Sequence, residues 1–154
     1  MTAEQLSATA RAAAAAGEWR AAVRHRADER TFALLHRDHE HEIWVVCWMS
    51  GHDTGFHDHD GSAAAIAVVE GEVVEERLTH GGAVAARYRA GDAVEVPGAA
   101  IHRVRHAGTA PATTIHVYSP PLSRVGRYAI AADGTLERYP SPAGERLEPP
   151  ARAA

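Results

Sequence analysis

From Thr31 to Gly134 the sequence runs as brief stretches rich in Val, Ile and aromatic residues, each soon closed by Gly, Asp or Pro: TFALLH, HEIWVVCWM, AAAIAVVEG, EVVEERLTH, AVAARYRAG, DAVEVPG, IHRVRHAG, TTIHVYSPP and RVGRYAIAADG. Stretches this short leave no room for helices of ordinary length, and their turn residues recur at the spacing of successive strands. An all-β sandwich or barrel of antiparallel strands is therefore predicted for residues 31–138.

The ends read differently. Residues 3–16 are mostly alanine with Gly17 as a stop, and residues 18–26 place Trp19, Ala22 and Val23 at helical spacing, so two short helices are predicted as a cover formed by residues 1–30. Residues 139–154, YPSPAGERLEPPARAA, are rich in Pro and poor in apolar side chains, which predicts a loosely held tail. A chain of 154 residues is long enough for one domain with its own core. Its net charge of −4 argues against a nucleic-acid surface. The basic residues are all arginine, a bias of composition shared with alanine along the whole chain. A single cysteine, Cys47, excludes an internal disulfide and fits a reducing compartment. The first twenty residues lack both a basic leader and an unbroken apolar run, which argues against a signal peptide or a membrane span. The expectation is a cytoplasmic monomer or small homo-oligomer that works on a small molecule, not on nucleic acid or membrane.

Within GHDTGFHDHDG, His57 and His59 stand one residue apart. On a strand they share a face with Cα atoms about 6.6 Å apart, close enough to chelate one metal ion. The same pair in a loop is an ordinary polar turn, and with eleven histidines in the chain such a pair is unsurprising. The later segment GDAVEVPGAAIHRVRHAG favours the chelate: a glycine turn, a short strand, a Pro-Gly turn and then His102. Together the two blocks resemble the paired motifs of the cupin superfamily, small β-barrels that hold a metal with histidines from both. The resemblance implies His57, His59 and His102 as ligands. The usual glutamate of the first block is missing, since Ala63 and Ala64 stand there. Three neutral imidazoles leave an Fe(II) ion its full charge and favour an anionic partner such as a thiolate; they also suit catalytic zinc.

In TTIHVYSPP, alternation puts Thr114, His116 and Tyr118 on one face and Ile115 and Val117 on the other. The polar face either meets water outside the barrel or lines a wet cavity, and the second arrangement asks the N-terminal helices to cover Ile115 and Val117. With this segment added, the chain resembles the cysteine dioxygenase family of thiol dioxygenases, through CWMSGHDTGFHDH, IHRV and TIHVYSPP in that order, across roughly residues 43–121. The resemblance implies a cupin double-stranded β-helix (jelly-roll) fold with short N-terminal helices. It implies one Fe(II) on His57, His59 and His102, with a small thiol and O2 as reactants and a sulfinic acid as product. Thr114, His116 and Tyr118 match the family's outer relay, which would hold the phenol near the metal. A cis peptide at Ser119–Pro120 is also implied.

Several positions depart from the family. Some members crosslink a cysteine to the active-site tyrosine; the matching position here is Ala64, and Cys47 reads instead as a buried structural thiol. His106 stands where asparagine commonly closes the second block, and is read as a surface or supporting residue rather than a fourth ligand. For the substrate carboxylate, Arg30 is the nearest candidate, displaced by a residue or two from the family position, which Thr31 or Phe32 would occupy. Arg37, Arg103 and Arg124 are the alternatives, each also explicable as a solvated charge. Cysteine is the leading substrate and 3-mercaptopropionate the close alternative, since the two differ in how the far end is held. A metal-dependent isomerase and a ligand-binding cupin without catalysis are the other readings.

Overall fold

The structure is a computed structural model and describes residues 1–142. Helix α1 spans Ala3–Ala16, the limits expected from the sequence. A capping box fixes its start: Gln5 N donates to Thr2 Oγ1 at 3.2 Å, and Thr2 N donates to Gln5 Oε1 at 2.7 Å. Gly17, at φ 75°, ends it in the left-handed conformation that costs glycine least. The second helix is shorter than expected, a single 3-10 turn at Glu18–Ala22 instead of 18–26. Trp19 is buried and docks the turn by donating from Nε1 to Ala14 O at 2.9 Å. Beyond Val23 the segment RHRADER offers only Ala27 as an apolar side chain, so a further helical turn would have nothing to pack against.

Eleven strands follow among the described residues: Thr31–Arg37 (β1), Glu42–Trp48 (β2), His57–Asp58 (β3), Ala63–Glu70 (β4), Glu72–Thr79 (β5), Gly82–Arg89 (β6), Ala93–Val96 (β7), His102–Ala107 (β8), Ala112–Ser119 (β9), Arg124–Ile130 (β10) and Leu136–Pro142 (β11). They form two antiparallel sheets, ordered β1-β2-β9-β4-β7 and β11-β10-β3-β8-β5-β6, which close on each other as a double-stranded β-helix. The strand β11 runs past the boundary expected at 138 and ends at Pro142; residues 143–154 of the expected tail lie outside the described residues. As the edge of its sheet, β11 tolerates Pro140 and Pro142, which have no N–H to give to a further strand. The Ser119–Pro120 peptide is cis. Among the described residues no helix is long and apolar enough to cross a membrane.

The core has two layers. Inside the barrel, Val46, Trp48, Ile66, Val73, Val104 and Val125 pack together with Tyr118. Outside, α1 and the 3-10 turn lie on the five-stranded sheet, where Leu6, Ala10 and Trp19 meet Val45, Ile115 and Val117. Full burial of a side chain such as Ile115 contributes about 1.5–3 kcal/mol. This helical cover settles the orientation of β9. The strand sits mid-sheet and is buried along its whole length, with Ile115 and Val117 under the helices and Thr114, His116 and Tyr118 turned into the barrel. Cys47 is a buried free thiol that alternation places on the same side of β2 as Val45, towards the helices.

Candidate metal centre and its hydrogen-bonded relay

The strand β3 is only two residues long, and His57 stands directly across from His102, the first residue of β8. The loop leading into it is pinned to β8 along its length. Thr54 N donates to Val104 O at 2.9 Å, and Val104 N returns a bond to Thr54 Oγ1 at 2.9 Å. Arg103 Nε holds both oxygens of Asp53, at 2.9 and 3.0 Å. His59 follows one residue after β3, and its ring joins the other two at centroid distances of 5.1 Å from His57 and 5.0 Å from His102.

All three histidines are buried, and one nitrogen from each lies within 4.8 Å of the others. His57 Nδ1 faces Gly55 O at 3.1 Å, which directs Nε2 inward. His59 Nε2 and His102 Nε2 are 3.3 Å apart. Two nitrogen ligands of one ion at ordinary bond lengths stand about 3.0–3.4 Å apart, so the pair has the separation that a shared metal requires. Burial, and then the charge of neighbouring histidines, hold His57 and His59 well below the usual histidine pKa, in the neutral form that binds metal. The residues present fit a metal ion.

Behind His102 lies a carboxylate that sequence reasoning missed. Glu75 Oε1 is 3.3 Å from His102 Nδ1, and Arg77 donates to the same oxygen from Nε at 3.1 Å and Nη2 at 2.9 Å. Burial raises the Glu75 pKa, but His102 and Arg77 outweigh it and keep the group ionised. The signal was present in EVVEER: Glu75 alternates with Val73, which faces the barrel interior. The first histidine block has no carboxylate at Ala63 or Ala64, and the one beside the cluster comes instead from β5.

On the opposite sheet the three polar residues of β9 form a continuous chain. Trp48 Nε1 donates to Thr114 Oγ1 at 2.8 Å, Thr114 Oγ1 is 2.8 Å from His116 Nε2, and His116 Nδ1 is 2.9 Å from Tyr118 Oη. All are buried. The Tyr118 ring stands edge-on to His59, with centroids 4.9 Å apart, so the relay ends beside the histidine cluster. Ala64 lies across from Tyr118 in register, so the residue facing the phenol from β4 carries only a methyl group.

The arginines separate clearly. Arg30 lies over the Trp48 ring at 5.1 Å, and its charge is felt at His57, so it belongs to this end of the barrel. Arg37 pairs with Glu42, Arg103 with Asp53 and Arg124 with Asp60, so each has a carboxylate partner within the chain. Thr31 bonds to Arg24 O, and Phe32 packs against Trp44. Arg127, which the sequence reading passed over, stands directly across from His57 in register and shares its strand face with the inward Val125; its Nε is buried. His106 bonds through Nε2 to Ala110 O at 2.8 Å and takes no part in the cluster. A second grouping of His36, Asp38 and His41 occupies the β1–β2 turn. Asp38 there accepts the N–H groups of Glu40 and His41 at 2.8 and 2.9 Å, and the hydrogen-bonded turn accounts for it.

The fold is thus a double-stranded β-helix that gathers between its sheets three histidines able to hold a metal ion. The sequence matches the family described as cysteine dioxygenase type I over residues 3–130, and the chain belongs to that family. Among solved structures it is similar to TT1209 from Thermus thermophilus, with a TM-score of 0.61 and 22% identity over 68% of this chain and 95% of that one. It is also similar to a double-stranded β-helix protein from Klebsiella pneumoniae (TM-score 0.57, 18% identity, covering 64% and 78% of the two chains). A cupin superfamily protein from Desulfitobacterium hafniense gives a TM-score of 0.55 at 15% identity, covering 64% and 84%. At these identities the likeness is one of fold. A search of curated protein sequences finds no significant match.

Proposed function

We propose that this chain is an Fe(II)-dependent thiol dioxygenase that converts a small mercapto acid to its sulfinic acid, adding both atoms of O2 to the thiolate sulfur. His57, His59 and His102 would hold the iron, which supplies the redox centre where thiolate and dioxygen meet. The observation that carries this reading is the buried relay ending at Tyr118 beside His59. Simple ligand storage would not require it.

The relay has a direction. Trp48 Nε1 can only donate, so Thr114 Oγ1 accepts from it, and its own proton is available to His116 Nε2. With that proton on Thr114, His116 would carry its own on Nδ1 and donate to Tyr118 Oη, holding the phenol beside the histidine cluster. Glu75 orients His102 and offsets part of the charge that three neutral ligands leave. For the far end of the substrate, Arg30, which precedes β1 and lies over Trp48, and Arg127, across from His57 on β10, are the candidate partners of a carboxylate. Cysteine is the leading substrate and 3-mercaptopropionate the alternative.

The test is oxygen uptake by anaerobically Fe(II)-loaded protein offered cysteine, 3-mercaptopropionate, cysteamine and mercaptosuccinate, with mass spectrometry of each thiol. The proposal expects uptake coupled to sulfinate formation with a carboxylate-bearing thiol and little with cysteamine. Iron-loaded protein that consumes oxygen with none of them would overturn it in favour of a ligand-binding cupin.

A further inference from the structure

The residue between the two chelating histidines points away from the cavity and is gripped from outside the barrel. Asp58, nearly buried, accepts from Arg138 twice: Nε to Oδ2 at 2.7 Å and Nη2 to Oδ1 at 2.9 Å. Tyr128 Oη donates to Oδ2 at 2.6 Å, and the N–H groups of Gly126 and Asp60 donate to Oδ1 at 3.1 and 2.9 Å. Arg138 Nη2 also reaches Asp60 Oδ1 at 3.0 Å. Arg138 belongs to β11, Gly126 and Tyr128 to β10, and Asp58 to β3, so the guanidinium crosses an intervening strand to reach its carboxylate.

The crossing is possible because β10 is bare there. A Cβ at Gly126 would stand 2.2 Å from Arg138 Nε and 2.5 Å from Asp58 Oδ2. Glycine at 126 is explained by that passage, not by its backbone conformation. The strand β11 lies beyond residue 130, where the match to the family ends.

We propose that Arg138, through Asp58, is a positioning residue for the metal centre, with Tyr128 and Gly126 completing the clamp. The inference rests on His57, His59 and His102 being the ligands. Its physical basis is the shortness of β3, whose two residues have, among the described residues, ladder partners only at Gly126, Arg127 and His102. Only the Asp58 residue separates His57 from His59, so any rotation about its backbone changes the angle between two ligands. Ladder bonds alone are too few to prevent that rotation, and a two-pronged, charge-assisted grip on the intervening side chain supplies the missing constraint.

The experiment measures Co(II) affinity by competition with a coloured chelator, together with the visible absorption of the bound ion, in full-length protein whose fold is checked by circular dichroism. Arg138→Ala is expected to weaken Co(II) binding by about 10–100-fold and to alter the visible band. Arg138→Lys should fall between it and wild type, and Gly126→Ala and Tyr128→Phe should move in the same direction. Arg87→Ala, which removes an exposed pair with Glu72, should change nothing. If Arg138→Ala does not fold, Arg138→Lys and Tyr128→Phe decide. Wild-type affinity and band in the clamp variants, with binding abolished in His57→Ala, would overturn the clamp and leave the histidine site intact. Wild-type affinity in His57→Ala as well would overturn the ligand reading itself.

Discussion

Thr114→Val preserves the outline of the side chain and removes one oxygen, which makes it a sharp probe of the relay. Thr114, Trp48 and His116 are all buried, so Trp48 Nε1 and His116 Nε2 would each lose a partner without gaining water. A buried polar group left unpaired costs about 1–3 kcal/mol, or about 2–6 kcal/mol for the two. The added methyl and the strand preference of valine return about 1 kcal/mol. A net loss of about 1–5 kcal/mol is expected, centred on about 3 kcal/mol. At a mid-range slope of about 2 kcal/mol per molar urea, a loss of about 3 kcal/mol moves the unfolding midpoint down by about 1.5 M with an unchanged slope. Thr114→Ser keeps the oxygen and loses one methyl, for about 1 kcal/mol. Urea unfolding of chelator-treated protein removes any contribution from bound metal. The ordering is the test: serine above valine. A valine variant as stable as wild type, or more stable than the serine variant, would refute the claim that the hydroxyl satisfies two buried partners.

Glu75→Gln should leave the protein folded and weaken metal binding by about tenfold, read by chelator competition, because His102 would lose its charged support. Tyr118→Phe should retain full metal stoichiometry while turnover falls by about a hundredfold or more, measured as oxygen uptake at saturating thiol. Asp53 is subject to burial, which raises its pKa, but the Arg103 bonds and the Gly55 N–H outweigh this and lower it from the ordinary 3.8. A lowered carboxylate pKa stabilises the fold fully above the unfolded value and ceases to do so as pH falls through the folded one. Urea unfolding at a series of pH values should therefore show wild type more stable than Asp53→Asn at neutral pH, with the gap closing below about pH 4.

Most strands were legible because a sheet covered on one side writes its burial into the sequence with period two, as in IWVVCW and TTIHVY. The strand β3 was not, since two polar residues in a histidine-rich loop carry no period. Prolines concealed β11, being compatible with a strand only at an edge, and sequence does not disclose which strand is an edge. The second helix was overread because spacing at Trp19, Ala22 and Val23 says nothing of whether the next turn finds a surface. At the site, the histidines and the β9 relay could be named from local motifs. Glu75, Arg127 and Arg138 could not, because each is brought next to His102, His57 or Asp58 from a different strand, through register rather than spacing.

The central claim is tested most directly by one turnover experiment under dioxygen labelled in both atoms, using Fe(II)-loaded protein and the carboxylate-bearing thiol that drives oxygen uptake. The account predicts a sulfinate carrying two labelled oxygen atoms, formed in step with oxygen consumption and lost in His57→Ala. A product with label in one atom or none, or equal product from His57→Ala, would contradict it.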